Sequence, residues 1–161
     1  MASIRTTIRD NIATLITSMR EVDGYAFDWL CANQPDDNLA TFPRALVYVR
    51  EETCDDSDRG AWANVYWANA EVEIIADVQI PSETDVPEFS IDAYCDDALD
   101  DLLRLFGSNP SLSSAGSLPV AYKSCVADDY VSGDYFLTKR ISTKWSIRFT
   151  RSRTEPTLSG L

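Results

Sequence analysis

The sequence predicts an α+β domain in which two amphipathic helices pack on one face of a mainly antiparallel sheet of four or more strands. Two segments with helical hydrophobic periodicity and four β-like segments predict this class, in the order α, β, β, α, β, β. The β-like segments occur in pairs, which is typical of hairpins and therefore of antiparallel pairing. With 161 residues, 45% of them hydrophobic, we expect one domain over residues 1–152 and a mobile tail over residues 153–161.

The first helix is predicted from apolar residues that recur at spacings of three and four, which places them on one helical face. These residues are Ile4, Ile8, Ile12, Leu15, Ile16 and Met19. Ser3 is a suitable N-cap, and Gly24 lies just beyond the expected end of the helix. An aromatic cluster over residues 25–29 and a loop over residues 33–41 are expected to follow.

Two β-like segments come next. Residues 42–52 carry apolar side chains on both sides, with Leu46 facing one way and Val47 the other, and this predicts a strand buried on two sides. Residues 62–80 alternate between apolar and polar side chains in their second half, which predicts a strand with one buried face. An acidic loop separates the two strands, and a connection with two prolines follows the second strand.

The second helix has the clearest pattern in the chain, with Ser90 as its N-cap and Gly107 at its end. Its apolar side is expected to contain Ile91, Ala98, Leu99, Leu102, Leu103 and Phe106. Its opposite side is expected to carry five aspartates, Asp92, Asp96, Asp97, Asp100 and Asp101. A Ser-rich loop over residues 108–119 and strands over residues 120–131 and part of 134–150 complete the predicted domain.

Charge is divided by position along the chain. Residues 1–122 carry 22 acidic and 7 basic side chains, whereas residues 123–153 carry 7 basic and 3 acidic ones, and the net charge is −12. An acidic body with one basic segment suits a protein that binds copies of itself or other proteins. It suits a nucleic-acid binder poorly, because affinity for phosphate needs a concentrated positive surface. Ordinary solvated charge that maintains solubility is the alternative interpretation.

The division of charge leads to an interface hypothesis. We expect four cations of the basic segment to face carboxylates of the 62–80 strand, either across the sheet or across subunits. The cations are Lys139, Arg140, Lys144 and Arg148, and the carboxylates are Glu71, Glu73 and Asp77.

Motifs for catalysis or metal binding are absent from the sequence. The chain has no histidine, so the usual base for a nucleophile is missing, and its glycines form no phosphate loop. The stretch 55–60 resembles a calcium loop, but Arg59 occupies a ligand position and no glutamate closes it. Asp97 and Asp101 lie one helical turn apart, but a solvated acidic face explains them better than a cation site. We expect no enzymatic activity, no cofactor and no metal.

The four cysteines are Cys31, Cys54, Cys95 and Cys125, and no two of them form a C-x-x-C pair. The first residues lack the apolar stretch of a signal peptide, so we expect reduced thiols in a cytoplasm-like compartment. No run is long and apolar enough to predict a membrane span. The aromatic residues over 62–67 suit core or interface anchors better than a sugar or peptide groove.

A family resemblance follows from the order of four segments. They are the N-terminal amphipathic helix, the strand FPRALVYVREE, the strand VEIIADVQIP followed by the helix SIDAYCDDALDDLLRLF, and the closing strand KWSIRFTRS. In length, order and charge, residues 3–152 resemble the tail-terminator proteins of long-tailed bacteriophages, the family of the minor tail protein U of phage lambda. No single motif carries the resemblance, so no site residue is transferred from it.

The resemblance implies a structural virion protein that forms a ring, typically a hexamer. Such a ring sits on the finished tail tube, ends tube polymerisation and offers a surface to the head connector. The implied partners are copies of the chain itself, the tail tube protein and the head connector or neck protein, while DNA passes through without specific binding. The implied location is the head-proximal end of the virion tail, and the host cytoplasm during assembly. We expect the aspartates of the second helix to form an acidic lumen that repels passing DNA.

Three other functions remain open from the sequence. The nearest is another neck or tail-completion protein of the same particle. The second is an acidic DNA mimic that inhibits a nucleic-acid enzyme, with the aspartates of the second helix as phosphate surrogates. The third is an enzyme that uses acidic residues and a metal, and the absence of histidine disfavours it.

Overall fold

A computed structural model describes residues 3–31, 42–54, 65–81, 89–109, 120–129, 131–133 and 136–152. The helices are α1 (Ile4–Thr17) and α2 (Phe89–Ser108), and a short 3-10 helix spans Glu21–Asp23. The strands are β1 (Leu30–Cys31), β2 (Arg44–Cys54), β3 (Val65–Pro81), β4 (Ala121–Ala127), β5 (Val131–Ser132) and β6 (Phe136–Ser152). The predicted tail, most of the loops predicted over residues 33–41 and 108–119, the calcium-like stretch 55–60 and Trp62 lie outside the described residues.

The strands form one sheet in the order β1-β2-β3-β6-β4, and β5 also pairs with β6 beyond the end of β4. Only the β1–β2 pair is parallel, so the prediction of a mainly antiparallel sheet is confirmed. The centre of the sheet is the β3–β6 ladder, whose register runs without a shift from the pair Val65 and Ser152 to the pair Pro81 and Phe136. The sheet has six strands, because two short strands that the sequence did not predict, β1 and β5, extend its edges.

Both helices cover the same face of the sheet, as the sequence predicted. α1 packs on β1 and β2, while α2 packs on β3, β6 and β4. Four isoleucines of α1 and alternate residues of β3 meet in one core, which also contains Trp29, Trp145 and Phe149. Full burial of one isoleucine side chain contributes about 1.5–3 kcal/mol, so the isoleucine row is sufficient reason for α1 to dock here. Ser3 begins α1 as expected, since its hydroxyl accepts a hydrogen bond from the Thr6 amide.

Two details of the predicted burial are wrong. Leu103 is 38% exposed, and Leu105 takes a place in the core instead, because Leu105 lies three residues after Leu102 on the buried face whereas Leu103 is turned about 100° away from Leu102. β2 is buried on one side only: Val47 lies in the core, whereas Leu46 and Tyr48 are half-exposed on the other side. No described element covers that second face of the sheet, which we call the open face.

Candidate assembly surfaces

The first candidate surface is the row of charges that β3 and β6 place on the open face. Arg140 lies directly opposite Asp77 in the ladder, and its guanidinium donates two parallel hydrogen bonds to that carboxylate at 2.7 and 2.9 Å. The hydrogen bond that Arg140 donates to Asp77 raises the pKa of Arg140. The Lys144 Nζ atom lies 3.4 Å from a carboxylate oxygen of Glu71. Two of the hypothesised ion pairs are therefore formed across the sheet within one chain.

Glu73 lies opposite Lys144 in the ladder, but its hydrogen bonds come from residues outside the four expected cations. It accepts hydrogen bonds from the Ser142 hydroxyl at 2.6 Å and from Arg50 Nε at 2.5 Å. These contacts lower the pKa of the Glu73 carboxyl, the Ser142 hydrogen bond most of all. Arg50 belongs to β2, and its guanidinium also lies 4.3 Å from the centre of the Tyr48 ring. Arg50 was not predicted as a partner because it lies in β2, outside the basic segment at residues 123–153.

Lys139 and Arg148 have other contacts than the β3 carboxylates that the interface hypothesis expected. Lys139 lies opposite the buried Val78 and points toward the helices, where its Nζ atom is 2.5 Å from the Asp92 carboxylate. The hydrogen bond to Asp92 raises the pKa of Lys139. The expected contact of Lys139 with β3 carboxylates is wrong, because odd-numbered residues of β6 face the helix layer. The Arg148 guanidinium lies 4.8 Å from the centre of the Trp67 ring on the open face.

The second candidate surface is the acidic side of α2. Asp92, Asp96, Asp97 and Asp100 are exposed, as predicted. The predicted exposure is wrong for Asp101, which is only 5% exposed. Its carboxylate accepts hydrogen bonds from the amides of Ala26 and Phe27, at 2.8 and 3.3 Å, and from the indole N–H of Trp29 at 2.9 Å.

The reason for the burial of Asp101 is that the segment after α1 folds over this side of α2. A buried tryptophan needs an acceptor for its N–H group, and Asp101 provides it for Trp29. The aromatic cluster 25–29 indicated a buried segment, but the sequence could not pair Trp29 with Asp101, because the two residues are 72 positions apart. Asp101 is therefore a structural residue and not part of an exposed acidic face.

The third candidate surface is a set of exposed apolar side chains at one edge of the sheet, which the sequence did not predict. Among the described residues, seven large hydrophobic side chains are exposed, and four of them lie on the hairpin that β4 and β5 form with β6. We call these four residues the apolar edge, and they are Tyr122, Val126, Val131 and Phe136. Val126 and Val131 are 61% and 69% exposed, and their partners Ser142 and Thr138 place both on the open face. Tyr122 lies opposite the buried Trp145, 5.2 Å between ring centres, and is therefore on the face that the helices cover.

The two edges of the sheet differ in how they are protected. On the β2 side, the Arg5 guanidinium of α1 donates to the carbonyls of Val49 and Arg50 at a register shift, and β1 covers the beginning of β2. On the β4 side, no described strand pairs with the outer side of β4 or β5. An outer strand with exposed apolar side chains is a surface on which another chain can pack.

The described residues give little support for a catalytic or metal-binding site. No group of three or more metal-ligating side chains occurs there. Burial raises the pKa of both the Cys31 and the Cys95 thiol to about 11, and it also raises the pKa of Cys125, so these thiols are poor nucleophiles. No described helix is long and apolar enough to cross a membrane.

Comparison with known proteins adds no family assignment: no protein-family model matches the chain, and no curated protein matches its sequence.

Proposed function

We propose that this chain is a structural assembly protein that forms a closed ring of identical copies. In the particle that the resemblance implies, the ring caps a phage tail tube, ends tube polymerisation and provides the surface to which the head connector attaches. The observation that carries the proposal is the apolar edge, where three large hydrophobic side chains are exposed on the outer strands β4 and β5 and a fourth, Phe136, is exposed at the start of β6.

The apolar edge supports assembly for a thermodynamic reason. Burial of a valine or phenylalanine side chain against a partner contributes about 1.5–3 kcal/mol per side chain, and exposed apolar patches on soluble domains mark interaction sites. The edge is also unlike any surface on the opposite side of the sheet, where β1 and Arg5 lie. Contacts between two unlike surfaces generate rings when the rotation closes.

The charged ladder on the open face has a secondary role in the proposal. Arg140 and Lys144 already pair with Asp77 and Glu71 inside the chain, so these cations are partly satisfied before any subunit arrives. Such exposed pairs contribute about 0–1 kcal/mol each. Assembly therefore depends on the apolar edge more than on the complementary charge that the sequence suggested.

The acidic side of α2 gives the proposed ring a surface that repels DNA. Asp96, Asp97 and Asp100 are exposed and project from one helix. If α2 faces the central opening, these carboxylates keep duplex DNA from adhering as it passes. The same three residues are the observation that favours a second candidate function, an acidic DNA mimic, although the burial of Asp101 and the pairing of Asp92 with Lys139 reduce that surface. The nearest alternative function is that of another neck protein of the same particle, which would share the ring architecture.

Sedimentation velocity tests the proposal with two matched variants. We expect the wild-type chain, at high concentration and with or without magnesium, to form one discrete oligomer larger than a dimer. Val126→Glu places a charge in the apolar edge and is expected to give monomers. Thr14→Glu places the same charge on an exposed position of α1 and is expected to behave as the wild type. A wild-type chain that stays monomeric in all conditions contradicts the ring and directs the next experiment to salt-dependent capture of a basic protein, as a DNA mimic requires.

A further inference from the structure

The register of the ladders arranges the side chains of the open face in rows that cross the sheet. One row is uncharged and takes one residue from each of the strands β2, β3, β6 and β4. Its members, in strand order, are Leu46, Ile75, Ser142 and Val126. We call this row the central row, and a row that contains charges lies on each side of it.

The charged row on one side alternates in sign across all four strands. Its members, in strand order, are Arg44, Asp77, Arg140 and Asp128. Asp128 belongs to this row because its amide donates to the Arg140 carbonyl, directly after the last pair of the β4–β6 ladder. In the row on the other side of the central row, Glu73 lies opposite Lys144. In both rows, therefore, β3 carries a carboxylate and β6 a cation.

This pattern of charges is complementary to itself. If a second copy is related by a two-fold axis parallel to the strands and lies against the open face, each row meets the same row in reversed strand order. The pairs that then face each other are Asp77 and Arg140, Arg44 and Asp128, Glu73 and Lys144, and Leu46 and Val126. Opposite charges thus face each other in both charged rows, and two apolar side chains face each other in the central row.

The same charges disfavour the other two-fold arrangement of two open faces. An axis that runs across the strands at the central row keeps the strand order but reverses the order of the rows. It therefore places Asp77 against Glu73 and Arg140 against Lys144, and like charges in contact weaken an interface. The favoured arrangement keeps the strands of the two sheets aligned, which is a common packing of two sheets about 10 Å apart.

The size of the open face is sufficient for a weak, specific contact. From Glu71 to Gln79, the four strands cover an area about 19 Å wide and about 26 Å long, or about 500 Å² per copy. Two copies together bury about 1,000 Å², which is the lower limit for a specific interface. Because Arg140 and Asp77 already pair inside each chain, the contact covers a neutral pair of charges rather than a lone ion.

We infer that two copies of this chain pair through their open faces, with the two-fold axis parallel to the β3–β6 ladder. The inference goes beyond the proposed ring, because it concerns a different surface and a different symmetry. Val126 belongs both to the open face and to the apolar edge, and it is 61% exposed in the single chain. A paired copy has Val126 covered and cannot use it for the ring contact, so the pair is the form of the chain before a ring closes.

An exchange of two charges tests the pair and keeps an ion pair inside each chain. The double variant Asp77→Arg with Arg140→Asp still has a cation opposite a carboxylate, so it is expected to pair with itself as the wild type does. In a mixed pair, position 77 of each copy faces position 140 of the other, and both contacts join like charges. We expect mixed pairs at least about tenfold below their statistical share.

Native mass spectrometry of an equal mixture measures this share, at low ionic strength and below the concentration at which larger oligomers form. One chain is isotope-labelled, because the exchange leaves the composition and therefore the mass unchanged. The matched control exchanges the Arg9 and Asp10 pair, which lies on α1, away from the open face. The double variant Arg9→Asp with Asp10→Arg is expected to form mixed pairs with the wild type in the statistical share.

A second pair of variants covers the case in which the double variant does not fold, which circular dichroism detects. Asp77→Arg alone and Arg140→Asp alone each bring like charges together in a pair with themselves, so each is expected to be monomeric. When the two are mixed, both facing positions join opposite charges, and a one-to-one pair is expected. Absence of that pair, when both variants are folded, contradicts the inference.

The remaining outcomes separate the inference from the proposed function. Mixed pairs in their statistical share refute the pairing of the open faces in this arrangement. A wild type that forms no pairs below the concentration of larger oligomers refutes open-face pairing altogether, whether or not rings form. Selective pairs without any larger oligomer at high concentration support the inference and contradict the ring.

Discussion

Asp101 offers the sharpest test of how the structure assigns roles to the acidic residues of α2. Its carboxylate accepts three hydrogen bonds in a site that is 5% exposed, and two of them go to the same oxygen. In Asp101→Asn, one oxygen becomes an NH2 group, which cannot accept. In the better orientation, the amide oxygen keeps the Phe27 and Trp29 donors, while the charge-assisted hydrogen bond from the Ala26 amide is lost and the new NH2 group faces that N–H.

The magnitude follows from these contacts. Loss of a hydrogen bond to a charged group costs about 1.5–3 kcal/mol, and the two remaining hydrogen bonds weaken because their acceptor is no longer charged. We therefore expect Asp101→Asn to lower the free energy of unfolding by about 2–3 kcal/mol. For a chain of this size, this corresponds to a fall in Tm of about 4–12 °C.

Urea unfolding at neutral pH, followed by circular dichroism, measures the effect. The control is Asp100→Asn, the same chemical change at an exposed neighbouring position, which we expect to alter stability by less than about 0.5 kcal/mol. If the two variants unfold within about 0.5 kcal/mol of each other, the structural role of Asp101 is refuted and Asp101 belongs to the solvated acidic face.

Three further predictions concern ionisable groups. Arg140→Gln breaks the bidentate contact with Asp77, and because Arg140 is half-exposed we expect a loss below about 1 kcal/mol that shrinks in about 1 M NaCl; a loss independent of salt would contradict this. The contacts that lower the pKa of Glu73 stabilise the folded state, and this stabilisation is complete above the pKa of a glutamate in the unfolded chain. The difference in stability between the wild type and Glu73→Gln should therefore be constant above about pH 5. It should vanish as the pH falls through the lowered pKa of Glu73. Cys31 and Cys95, with pKa values of about 11, should react with a thiol reagent at about pH 8 at least tenfold more slowly in the folded chain than in urea, and equal rates would contradict their burial.

Much of the fold was predictable because its main elements are long and periodic. The isoleucine row of α1 and the alternation in β3 each extend over many residues, so one side could be assigned to the core. β1 was missed because two residues are too few to show a period, and its pairing depends on Pro43 and Arg44 being brought beside it by the fold. β2 was assigned two buried sides because its sequence is apolar on both, but only one layer of helices exists in the described part of the chain.

The candidate surfaces were predictable only where strand register decides them. The sequence predicted only that the group of cations containing Arg140 would face the group of carboxylates containing Asp77, and the pairing of the two residues follows from the register of β3 and β6. Lys139 was misplaced because its charge was considered without its alternation relative to Trp145 and Ile147. The apolar edge was not predicted at all, since Val126 and Val131 resemble core residues in sequence and become exposed only because β4 and β5 lie at the edge of the sheet.

The central claim is that identical copies of this chain close into a ring through two unlike surfaces. Negative-stain electron microscopy of the concentrated wild-type protein, with and without magnesium, tests it most directly. The account predicts closed rings with cyclic symmetry and a central opening wide enough for duplex DNA. Single particles no larger than a dimer in both conditions would contradict it.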